Sequence, residues 1–99
     1  MTLRILPRAV RYLAELRTTI AADDPAMAQK VGDRIIKALR LIEERPDIGR
    51  PTAGRESVRE CAVPDLPYFI PYRVKDGNVE VLRVYHTRRN RPPQWPTTL

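Results

Sequence analysis

Ninety-nine residues make one domain with room for a modest core, which excludes a multidomain enzyme. Hydrophobic residues at 42% and charged residues at 30% exclude a disordered chain. Eighteen Lys and Arg, fifteen of them Arg, stand against twelve Asp and Glu, and the net charge of +6 favours an acidic protein or a nucleic acid as partner. Arginine richness of this kind also follows from genomic base bias. Cys61 stands alone, so no intramolecular disulfide can form and a reducing cytoplasm is the natural compartment. Arg4, Pro7, Arg8 and Arg11 interrupt the early apolar run, so no signal peptide is expected, and no stretch approaches the ~20 apolar residues that cross a bilayer.

In chain order, Thr2 to Leu6 reads as a short strand ended by Pro7, which opens a helix without wasting a hydrogen bond. From Arg8 to about Ala22 the stripe Val10, Leu13, Leu16 and Ile20 recurs at three- and four-residue spacing. Asp24 caps a second helix with Pro25 in its first turn. That helix runs to about Arg45, with Ala28, Val31, Ile35, Leu39 and Ile42 inward, and Pro46 ends it. Pro46 to Ser57 holds two prolines and two glycines and reads as a basic loop carrying Arg50 and Arg55. Val58 to Val63 is a strand, followed by the turn Pro64-Asp65-Leu66-Pro67.

The stretch from Tyr68 to Arg89 is the centre of the chain. Two β-branched and aromatic runs flank Asp76-Gly77, a dipeptide suited to the left-handed angles of a two-residue hairpin turn. That turn sets Val74 opposite Val79, Arg73 opposite Glu80, Tyr72 opposite Val81, Pro71 opposite Leu82 and Phe69 opposite Val84, with Arg73 and Glu80 as a cross-strand ion pair. Ile70, Tyr72, Val74, Val79 and Val81 share the core face. Phe69, Pro71, Leu82, Val84 and His86 share the other, so the hairpin needs cover on both sides. Pro71 has no N–H, so a bulge or a missing ladder bond is expected there. The last strand runs into the basic exit His86, Arg88, Arg89 and Arg91, and the proline-rich tail carries Trp95, expected to dock on the body of the domain. The fold class is α+β, in the order β-α-α-β-β-β, with a helix hairpin on one face of a small, mostly antiparallel sheet.

With one His, one Cys and no acidic cluster of ligand spacing, neither a metal nor a cofactor is expected. The remaining chemistry is acid–base or electrostatic. His86 could exchange a proton near neutrality, with Arg73, Arg88 and Arg89 holding a phosphate. The same residues read equally as a strand-end histidine beside a solvated basic rim.

Val58-Arg59, PYFIPYRV from Pro67 and VEVLRVYHTRR from Val79, preceded by a helix ending at Pro46 and by Gly49-Arg50-Pro51, resemble the RelE/ParE toxin superfamily, most of all its ParE, or plasmid-stabilisation, branch. The resemblance covers nearly the whole chain, as a single toxin domain over 1–99. It implies a type II toxin neutralised by an acidic antitoxin. It implies two possible targets: DNA gyrase for ParE-like members, or mRNA in the ribosomal A site for RelE-like nucleases. RelE-like nucleases carry an arginine where Phe69 stands and another where Arg88 stands, and they commonly use a tyrosine in a segment that here offers Gln94 and Trp95. The nuclease set would be His86, Arg88, Arg89 and Arg73, and it is incomplete. A gyrase inhibitor is therefore the expected activity, the nuclease is the alternative, and a non-toxic chain that only binds the antitoxin is the third reading. Contacts to antitoxin or target are expected at Arg11, Arg50, Phe69, Leu82, Val84, Arg88, Arg89 and Trp95.

Overall fold

The fold is described from a computed structural model over residues 2–52 and 55–86. Strand β1 (Thr2–Ile5) leads into helix α1 (Pro7–Asp23) and helix α2 (Pro25–Glu44). Strands β2 (Arg50–Thr52), β3 (Arg55–Ala62), β4 (Tyr68–Lys75), β5 (Asn78–Val81) and β6 (Tyr85–His86) follow. The sheet order is β1-β5-β4-β3-β2, with β6 pairing β4 beyond the end of β5. β1 runs parallel to β5, and every other pair is antiparallel.

The helix boundaries follow from local chemistry. Pro7 and Pro25 each occupy a first turn, where a missing N–H costs nothing. The Asp24 carboxylate accepts a hydrogen bond from the Met27 N–H at 3.1 Å, while the Asp24 N–H closes the end of α1 on the Ile20 carbonyl at 2.8 Å. One residue thus ends the first helix and starts the second. Helix α2 buries Val31, Ile35, Ala38, Leu39 and Ile42, while Ala28 stays partly exposed. In α1 the buried residue is Ala9, and Val10 is 51% exposed, which corrects the expected stripe. At ~100° per residue, Ala9 lies in line with Leu13, Leu16 and Ile20, whereas Val10 stands off to one side. Ala9 is fully buried within the main core.

Two expectations about the sheet also change. Pro46 to Ser57 is not all loop: Arg50–Thr52 pair with β3, which already begins at Arg55. Proline punctuation suggested a loop, yet Pro51 sits on the terminal strand, where a missing N–H is tolerated. In the hairpin, Asp76 at φ 53 and Gly77 at φ 77 form the expected left-handed turn, and Val74↔Val79, Arg73↔Glu80 and Tyr72↔Val81 pair as read. Val74 itself is 45% exposed, two residues from the Asp76-Gly77 turn.

Past Tyr72 the register slips. The Leu82 N–H donates to the Pro71 carbonyl at 2.9 Å, but Pro71 cannot return the bond. β5 ends at Val81, and β6 resumes with Phe69↔Tyr85 and Tyr68↔His86. One extra residue has entered the β5–β6 side, a β-bulge. Towards β3 the ladder is unbroken through Glu60↔Pro71 and Cys61↔Ile70, since a strand residue's N–H and C=O point to one neighbour only. Phe69 therefore faces Tyr85 and not Val84. Because side chains alternate, the slip moves every later residue to the other face. Val84 joins the main core with Ile70, Tyr72, Val79 and Val81. A smaller cluster of Val58 and Leu82, with Leu6 and Tyr85 against it, forms on the opposite face.

Candidate functional site

The face of the sheet turned away from the helix pair carries Val58, Glu60, Phe69, Pro71, Arg73, Glu80 and Leu82, by register. Arg73 donates from Nε to Glu80 Oε1 at 2.8 Å, and the two side chains keep only 9% and 14% of their exposure. Two charges at that depth gain little net stability over an apolar pair, but they hold the hairpin to one register. Phe69 stacks on Tyr85 with ring centroids 5.4 Å apart and planes at 16°. Phe69, Leu82 and Val84 are all buried. They are interior residues, not a surface on which a partner could rest.

His86 lies elsewhere. It pairs with Tyr68, a residue of the main core, and the two rings meet edge to face at 5.4 Å. Arg73 and His86 thus issue from opposite faces of the sheet, so the structure does not bring these two members of the expected nuclease set together. Arg88, Arg89 and Trp95 lie outside the described residues. Arg11 on α1 and Arg50 on the terminal strand β2 are exposed, as a contact role requires. Among the described residues no three His, Cys, Asp or Glu side chains come close enough to hold a metal ion.

Below the Pro46–Arg50 segment stands a buried tyrosine whose role no sequence pattern signalled. The Tyr72 hydroxyl accepts from the Gly49 N–H at 2.8 Å and donates to the Pro46 carbonyl at 2.7 Å. Arg59 Nη1 donates to the Gly49 carbonyl at 2.7 Å. Burial pushes the Tyr72 phenol above its ordinary value of 10.0, against a smaller downward pull from the Gly49 hydrogen bond. The segment that presents Ile48 and Arg50 is thereby held from beneath.

Two grooves flank α2. One, of about 520 Å³, runs between the helices over Leu13, Leu16, Ile20, Val31 and Leu39, with Ile36 beside it at 50% exposure. The other, of about 1050 Å³, lies between α2 and β3. Ile36 and Leu41 were missed in the sequence, although apolar residues at 31, 35, 36, 38, 39, 41 and 42 make a band wider than one buried stripe needs.

Residues 3–91 match the family model described as ParE toxin of type II toxin-antitoxin system, parDE. The chain belongs to the ParE toxin family. "Putative toxin Y4kP" of Sinorhizobium fredii (strain NBRC 101917 / NGR234) is 43% identical over 93 residues, covering 93% of this chain and 90% of that protein. "Toxin RelE2" of Caulobacter vibrioides is 34% identical over 82 residues, covering 83% of this chain and 90% of the relative. Among solved structures, the "Chromosomal ParDE TA system from P. aeruginosa" aligns with a TM-score of 0.77 at 20% identity, over 89% of this chain and 97% of that one. That likeness shows the fold: two helices on a mixed six-stranded sheet.

Proposed function

We propose that this ParE-family toxin arrests growth by inhibiting DNA gyrase in the cytoplasm, without cleaving RNA, and that an acidic antitoxin neutralises it. One observation carries the reading against the nuclease: Phe69 is buried and stacked on Tyr85 where RelE-like enzymes are expected to present an arginine. An aromatic ring packed in the fold supplies no cation for a developing phosphorane charge. The separation of His86 from Arg73 across the sheet supports the same conclusion.

The antitoxin part rests on charge and on exposed apolar residues. A chain of +6 with Ile36 exposed beside an apolar groove suits an acidic partner that lays an amphipathic helix on the helix pair. The deciding experiment adds purified chain to a gyrase supercoiling assay and to a cell-free translation reaction. Supercoiling is expected to stop while translation continues. Ribosome-dependent mRNA cleavage that disappears in His86→Ala and Arg88→Ala would replace this reading with the nuclease, and inertness in both assays would leave a non-toxic antitoxin-binding chain.

A further inference from the structure

The outer face of the sheet is closed more completely than the described elements close it. The helices pack on the opposite face, where Val31, Ile35 and Ile42 join Ile70, Tyr72 and Val81 in the main core. On the outer face Val58 and Leu82 are each 1% exposed, Phe69 3% and Glu60 6%, and Pro71 is fully buried. Neighbours within a sheet shield only the flanks of a side chain, so exposures this low require a second layer above it. Among the described residues, Leu6 and Tyr85 pack against Val58 and Leu82, and Tyr85 stacks on Phe69. Two side chains do not cover a face three strands wide. The buried area stops at Arg4 on β1, Arg50 on β2 and Lys75 by the hairpin turn, all exposed. It is a strip, the footprint of one extended segment.

We propose that residues 87–99 form this second layer, with the Pro92-Pro93 and Trp95-Pro96 stretches laid on the Phe69–Tyr85 stack and on Leu82. The burial exists in a single chain, so the cover is the chain's own. Residues 2–52 and 55–86 are accounted for and two residues at 53–54 are too few, which leaves the segment after His86. It starts in the right place, because Tyr85 and His86 pair with Phe69 and Tyr68 at one end of the strip. At ~3.1 Å per residue the segment reaches roughly 40 Å, against about 14 Å for three strand spacings, so it can turn back and cross. Its composition suits the task. Proline-rich stretches are preorganised for docking on aromatic surfaces, and Trp95 adds a large apolar area. Burying a carboxylate is costly unless cations or donors meet it, and no acidic residue follows Glu80 to oppose Glu60. The inference goes beyond the gyrase reading and does not depend on it: a face covered by its own chain is closed to a target or a second copy, whatever the target is.

Trp95 is the chain's only tryptophan and reports on this segment alone. In the full-length protein its emission is expected to be blue-shifted from that of the urea-unfolded chain, with acrylamide quenching slowed about threefold or more. Both should stay constant on dilution. In NMR spectra of the same protein, NOEs should join the Trp95 indole to the Phe69 ring, the Tyr85 ring or the Leu82 methyls. Tyr85→Ala is expected to return quenching toward the unfolded rate, while Val10→Ala on the exposed side of α1 leaves it unchanged. Should Tyr85→Ala fail to fold, the wild-type NOEs still decide. Quenching at the unfolded rate would overturn the proposal and leave the face to a partner. Protection that weakens on dilution would overturn it in favour of a second copy. NOEs from Trp95 to α1 or α2, with none to the outer face, would overturn it by placing the segment on the helix side.

Discussion

Gly49 is needed for space and not for backbone freedom. A Cβ there would lie 2.6 Å from the Tyr72 hydroxyl and 2.8 Å from the Glu60 carbonyl, closer than real side chains come. Gly49→Ala must therefore push the Pro46–Arg50 segment off its anchor, and a loss of ~1–3 kcal/mol is expected in urea unfolding. Tyr72→Phe removes both bonds and leaves the Gly49 N–H unpaired, a similar loss of ~1–3 kcal/mol. The two are separable by pH. Burial holds the folded phenol above the value of 10.0 that it takes when unfolded. Its stabilising share is thus complete below about pH 10 and is lost as pH rises through the folded pKa. Wild-type stability is expected to fall on that alkaline side with an added slope that Tyr72→Phe lacks, and equal slopes would show that Tyr72 does not titrate with unfolding. Neither the missing Cβ nor the buried hydroxyl can be read from Gly49-Arg50-Pro51 as letters.

At the scale of elements the decisive event is the bulge after Leu82. Pro71 predicted a broken ladder, and the break falls on the β5–β6 side because that is where its N–H would point. The consequence for Val84 and His86 was not predicted: one inserted residue exchanged the faces on which they stand. Pro71→Val restores a donor opposite Leu82. The regained hydrogen bond contributes ~0.5–1.5 kcal/mol, and the added freedom of the unfolded chain takes back ~0.4–1 kcal/mol. Net stability is therefore expected to change by less than about 1 kcal/mol. The informative readout is hydrogen exchange, in which the new residue-71 amide should be protected to the level of its neighbours. A freely exchanging amide would show that the bulge is held by the packing of Phe69 on Tyr85 and not by the proline.

At the scale of the molecule the surface is basic and apolar residues remain exposed on α2. If an acidic antitoxin covers it, electrostatic steering should dominate the encounter and apolar contact the lifetime. Stopped-flow mixing is expected to show the association rate falling about tenfold between ~0.05 and ~0.5 M salt, with the dissociation rate changing far less. A flat association rate would show that the basic surface serves something other than this partner.

Much of this protein was determined by local sequence. Prolines at helix starts, Asp24 as a shared cap, the Asp76-Gly77 turn and the Arg73–Glu80 pair each act over a few residues or across one tight hairpin, so their outcome depends little on the rest of the chain. The order of short motifs was likewise enough to place the chain in its superfamily. What tertiary structure alone decided depends on residues distant in sequence meeting. β2 finds a partner in β3, Ala9 rather than Val10 is buried, and Tyr72 reaches back to Gly49. The extra residue before Tyr85 turns His86 onto the helix side. The face of a strand-end side chain is set by the register of every pair before it, and a single bulge reverses it without changing a letter of the pattern.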